Sequence, residues 1–88
     1  LVGAFAAVAR LENEEECYRF FEDLCTINEL QAMAQRYEVA RMLKKGDTYI
    51  AVAEKTGASS ATISRVNRCL LYGANGYNIA IERENAEE

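Results

Sequence analysis

The chain contains no histidine and no proline, and only three cysteines. Without histidine, and with no Cys-x-x-Cys pair, a zinc site has too few ligands of the usual types. The missing histidine also removes the commonest general base, and no phosphate-binding glycine loop is present, so an enzyme is not expected. Cys17, Cys25 and Cys69 are odd in number and widely spaced, which argues against a disulfide framework. They read as reduced, buried small hydrophobes, and that fits a cytoplasmic protein. Long apolar runs are also lacking: no stretch approaches the roughly 20 residues of a membrane span. Residues 1–11 are apolar but too short, and they lack the basic start and cleavage pattern of a secretion signal. The chain begins at Leu1 with no methionine, which leaves its native start open.

What is present points to one helical domain. The 88 residues suffice for a single domain, 1–88, that buries only about 60% of its unfolded surface. Half of the residues are apolar. With no proline, and no run typical of disorder before the tail, the expected class is all-α with five or six helices.

The formal net charge is −4, which alone would disfavour a nucleic-acid partner. Its distribution reverses that inference. Residues 36–68 carry seven cations (Arg36, Arg41, Lys44, Lys45, Lys55, Arg65, Arg68) against three anions. Residues 1–35 carry two cations and seven anions, and residues 69–88 carry one cation and four anions. With a screening length of about 8 Å at physiological salt, this local excess outweighs the total.

Residues 1–11 predict an alanine-rich helix buried on more than one side. A second helix opens near Asn13, with Glu14, Glu15 and Glu16 at its positive end. Cys17, Phe20, Phe21 and Leu24 recur at core-facing helical spacing. Thr26, followed three residues later by Glu29, forms a capping box, with Cys25 and Leu30 placed as a hydrophobic staple. It starts a long helix running to Lys45, with Leu30, Met33, Ala34, Tyr37 and Ala40 as its main stripe and Leu43 continuing it. Lys44 and Lys45 complement that helix's negative end, and Gly46 stops it.

The sharpest signal lies at residues 49–68, YIAVAEKTGASSATISRVNR. Thr48 or Asp47 can cap a short helix whose inner side is Val52, Ala53 and Thr56. Gly57 ends it in a left-handed conformation, and Ser59 caps the next helix. There Ile63, Val66 and Leu70 form the buried stripe. Together these offsets predict a helix-turn-helix over residues 47–72. Double-stranded DNA is its expected partner. Ser60, Ala61, Ser64 and Arg65 are the base-reading candidates, and Lys44, Lys45, Lys55 and Arg68 the phosphate-contact candidates. Residues 73–76 read as a turn, and residues 77–88 as a short C-terminal helix with a frayed tail over 84–88.

From Cys17 to Tyr77 the chain resembles the Trp repressor superfamily, and most closely its Trp-repressor-like YerC/YecD branch. The residues that carry the resemblance are Phe20-Phe21, residues 23–26 (DLCT), Asn28-Glu29, residues 34–36 (AQR), residues 39–43 (VARML), and the blocks 56–59 (TGAS) and 61–70 (ATISRVNRCL). The resemblance implies an intertwined homodimer, with residues 1–45 as dimerisation helices, and a transcription regulator of repressor type. It also implies an effector pocket at Thr26, Arg36 and Arg65. At two further pocket positions the family's tryptophan-responsive member has a glycine, here Val66, and a serine, here Cys69. A bulkier side chain and a lost hydroxyl both count against tryptophan. No cofactor is expected, and a different small effector stays open. The competing expectation is a helical protein-interaction module that does not read DNA, supported by the acidic balance and by the lack of an amide or arginine cluster at residues 59–61.

Overall fold

The computed structural model describes residues 1–87. Six helices follow one another: α1 (Val2–Ala9), α2 (Glu14–Leu24), α3 (Ile27–Lys45), α4 (Tyr49–Thr56), α5 (Ser60–Tyr72) and α6 (Gly76–Ala86). Among the described residues there is no strand, and no helix is long and apolar enough to cross a membrane. Glu88, the end of the expected tail, lies outside the described residues. The chain divides into two compact units, Leu1–Gln31 and Ala32–Glu88.

In the first unit the helix starts follow the local chemistry. The Asn13 side chain accepts the Glu16 N–H at 2.9 Å and so caps α2. At the start of α3, Thr26 Oγ1 accepts the Glu29 N–H at 3.1 Å, and Glu29 Oε1 accepts the Thr26 N–H at 2.8 Å. Each side chain satisfies an amide that no helical carbonyl can reach. No residue of this unit is buried. Cys17, Phe20 and Phe21 are half-buried, and Leu1, Val2, Phe5, Leu24 and Ile27 are exposed. The expectation of burial for residues 1–11, and of a core under Cys17–Leu24, is therefore not met within the chain. Two short helices and one turn of a third cannot enclose a side chain, and periodicity identifies an apolar face without saying what covers it.

Hydrogen bonds from the Thr26 amide and hydroxyl hold the Glu29 carboxyl below the ordinary glutamate range. Its ionised form is thus favoured in the folded chain. The stabilisation is complete above the unfolded pKa and is lost as pH falls through the lowered folded value. A Glu29→Gln variant can keep the box but has no carboxylate to titrate. In thermal melts followed by circular dichroism, the wild-type advantage over this variant is expected to vanish at acidic pH. An advantage independent of pH would contradict the assignment.

The second unit holds the core: Val39, Ala40 and Met42 from α3, Val52 from α4, Ala58 from the following turn, Ile63 and Val66 from α5, and Ile81 from α6. Tyr37, Leu43, Ala53, Leu70 and Tyr77 pack around it. The α3 stripe read from the sequence is only partly right. Ala40 is buried, but Ala34 is exposed, and Val39 and Met42 take the place of the earlier positions. Here α3 is covered by α4, α5 and α6 together, so adjacent residues such as Val39 and Ala40 are both enclosed.

Gly46, at φ 102°, ends α3 with its own N–H bonded to the Leu43 carbonyl and the Asp47 N–H bonded to the Met42 carbonyl, both at 3.0 Å. The C-terminal helix reaches Ala86 and is not frayed at residue 84 as the sequence suggested. Glu84 is the reason. Its carboxylate accepts the Tyr37 hydroxyl at 2.8 Å and the Arg41 guanidinium at 2.8 Å, while Arg41 also meets Glu38 at 2.7 Å. Burial, and then the hydrogen bond to the Glu84 carboxylate, push the Tyr37 hydroxyl pKa up, so it stays a donor at neutral pH.

Candidate nucleic-acid interface

The two helices α4 and α5 are joined by a three-residue turn, residues 57–59, and small polar residues set their ends. Thr48 caps α4, its hydroxyl accepting the Ala51 N–H at 3.1 Å. At the other end the Thr56 hydroxyl donates to the Val52 carbonyl at 2.7 Å and accepts the Ala58 N–H at 3.2 Å. Gly57 follows at φ 73°, where a side chain would strain the backbone, and its N–H reaches the Ala53 carbonyl at 2.9 Å. Ser59 then caps α5, accepting the Thr62 N–H at 3.2 Å. Val52, Ala58, Ile63 and Val66 bury this pair of helices in the core, and Ala53 is half-buried beside them.

With Ile63 and Val66 pointing inward, the other face of α5 is turned to solvent. Ser60, Ala61, Ser64, Arg65 and Arg68 are all exposed. Lys55 at the end of α4 and Lys44 and Lys45 at the end of α3 are exposed as well. No acidic residue occurs between Glu54 and Glu82, so no carboxylate on α5 or its flanking turns competes for these cations. Among the described residues, Arg36, Lys55, Arg65 and Arg68 form no salt bridge, and Lys45 only approaches Asp47 at 3.9 Å. Exposed cations together with small hydroxyl and methyl groups are chemically suited to phosphates and base edges.

The residues of the expected effector pocket have varied surroundings. Thr26 lies in the first unit, with its hydroxyl engaged in the capping box. Arg36 is half-buried and Arg65 is exposed, both in the second unit. The Val66 side chain is only 1% exposed and is used up in packing the core. Cys69 is half-buried.

Two side chains not singled out from the sequence hold the helix ends. Gln35 of α3 donates its Nε2 to the Thr56 carbonyl at the end of α4, at 3.1 Å. Asn78 of α6 donates its Nδ2 to the Leu70 carbonyl near the end of α5, also at 3.1 Å. The last carbonyls of a helix have no partner inside it, and these amides supply one to each. No local pattern could have found them, because each pair is formed between different helices.

A family model described as Trp repressor protein matches residues 2–85. A Bacillus subtilis (strain 168) protein named uncharacterized protein YerC is 57% identical over 84 residues, covering 96% of this chain and 81% of that protein. The crystal structure of a TrpR like protein from Eubacterium eligens ATCC 27750 matches with a TM-score of 0.89 at 54% identity, covering 94% of this chain and 86% of that one. A crystal structure from Staphylococcus aureus gives the same TM-score at 51% identity, covering 94% of this chain and 83% of that one.

Proposed function

This chain belongs to the Trp repressor family, whose members are regulatory DNA-binding proteins and not enzymes, and from that premise we propose that it is a sequence-specific transcription repressor acting as a homodimer on a two-half-site operator. The observation that carries this reading is the outward face of α5. It is capped and packed on one side, and on the other it presents Ser60, Ala61, Ser64 and Arg65 on a helix that carries no acidic residue. Ala61 suits a thymine methyl, the two serines suit either hydrogen-bonding edge, and Arg65 suits guanine or phosphate. Lys44, Lys45, Lys55 and Arg68 set affinity and register on the backbone.

The dimer is supported by the first unit. Phe5, Leu24 and Ile27 are each more than half exposed there, and nothing in that unit is buried. Such a surface calls for a partner. Two reading heads would then meet successive major grooves roughly 34 Å apart, a spacing general to two-fold helix-turn-helix dimers.

Tryptophan is not the proposed effector. The Val66 side chain fills space that a glycine would leave, and Cys69 lacks a hydroxyl. Selection of bound sequences from random DNA, with and without added tryptophan, tests the whole reading. The expected result is enrichment of a two-fold symmetric site, unchanged by tryptophan. No enrichment at any salt concentration would reject sequence-specific reading, and a tryptophan-dependent rise in affinity would reject the effector argument.

A further inference from the structure

Asn78 sits where three helices meet. It lies in the first turns of α6, and its amide is used on both sides. Nδ2 donates to the Leu70 carbonyl of α5 at 3.1 Å, while Oδ1 accepts from Lys44 Nζ of α3 at 2.7 Å. The amide cannot be turned over. A flip would face the ammonium with an NH₂ group and the Leu70 carbonyl with an oxygen, two like-with-like contacts. Asn78 itself is half-buried, whereas Lys44 is exposed.

We propose that Asn78 is a positioning residue for DNA binding: it fixes the Lys44 ammonium against the C-terminal end of the reading helix so that this cation meets a DNA phosphate in register with α5. The inference rests on the DNA-reading function proposed above. An ammonium carries three donors, and Asn78 takes one, which leaves two for phosphate oxygens. A lysine with no such anchor must be ordered at the moment of binding; here the ordering is present in the folded chain. Lys44 contributes to DNA binding through a relay that ends on the backbone of the reading helix, and Lys45, whose nearest carboxylate is at 3.9 Å, does not share it.

The test is titration of the full chain onto its selected DNA site by fluorescence anisotropy over a range of salt, for wild type, Lys44→Ala, Asn78→Ala and the double variant, with thermal melts of each. Removing one phosphate contact lowers the slope of log affinity against log salt by about 0.9, which corresponds to about fivefold weaker binding at 0.15 M salt. Asn78→Ala is expected to show this loss although no charge has been removed, and the double variant is expected to lose no more than Lys44→Ala alone. Where Asn78→Ala does not melt cooperatively, Asn78→Asp is read instead. That substitution removes the donor to the Leu70 carbonyl and adds a charge of its own, so its slope is compared with Asn78→Ser, which is too short to bridge Lys44 and Leu70 and adds no charge; the slope loss is expected in Asn78→Ser as well. A wild-type slope in the folded Asn78 variants, with only a lower melting temperature, would overturn the proposal and make Asn78 a brace. Additive losses near 1.8 in the double variant would overturn it too. Wild-type protein that binds no DNA would reject the function itself, a result distinct from wild-type binding with an unaltered Asn78 variant.

Discussion

Replacing Ile63 with alanine is expected to destabilise Ala32–Glu88 by about 2–5 kcal/mol, the usual range for truncating a fully enclosed aliphatic side chain. Ile63 is 1% exposed and lies in the core with Val39, Val52 and Val66. The cavity would open beneath α5, so under the proposed function DNA affinity should fall with stability although no solvent-facing side chain of α5 has changed. Urea melts check the magnitude, through a lower midpoint at constant slope. Ile50→Ala is the matched control, because Ile50 is 74% exposed and should change stability by less than about 0.5 kcal/mol. Equal effects of the two variants would mean that α5 is not seated as described.

The second large effect is electrostatic. Charge reversal of both Lys55 and Arg68, each exposed and without an ion-pair partner among the described residues, leaves the core untouched. If both cations meet phosphates, the salt slope falls by about 1.8, which weakens binding roughly 30-fold at 0.15 M salt before any repulsion is counted. The loss should be the same on the selected site and on random DNA, because phosphates carry no sequence information. Far-ultraviolet circular dichroism should not change. Retained DNA affinity would instead favour a protein-binding role for this face.

Much of the head was legible in the residues themselves. Thr48, Gly57 and Ser59 act over three or four positions, and the helix that each begins or ends is where the sequence places it. Val52, Ile63 and Val66 were equally plain, because each lies on a helix covered on one side only. What failed to show was the work of several helices at once. The α3 stripe was misread at Val39 and Met42 because residues of α4, α5 and α6 all join the core they enter, whereas Ala34 is no part of that core and is exposed. The length of α6 was missed because Glu84 is held by Tyr37 and Arg41, 47 and 43 positions earlier. The apolar faces of α1 and α2 were visible, but their cover was not, since a periodic pattern carries no information about the neighbour it will meet.

The two amide brackets bear on how far this head can be moved. A peptide cut to α4, its turn and α5 would keep its caps and its glycine. It would lose the donors that Gln35 and Asn78 provide to Thr56 and Leu70, together with the cover of Val39, Ala40, Met42 and Ile81. Moving this pair of helices into another protein therefore means transplanting α3 and α6 along with it, or exchanging only the solvent-facing side chains of α5 within an intact host.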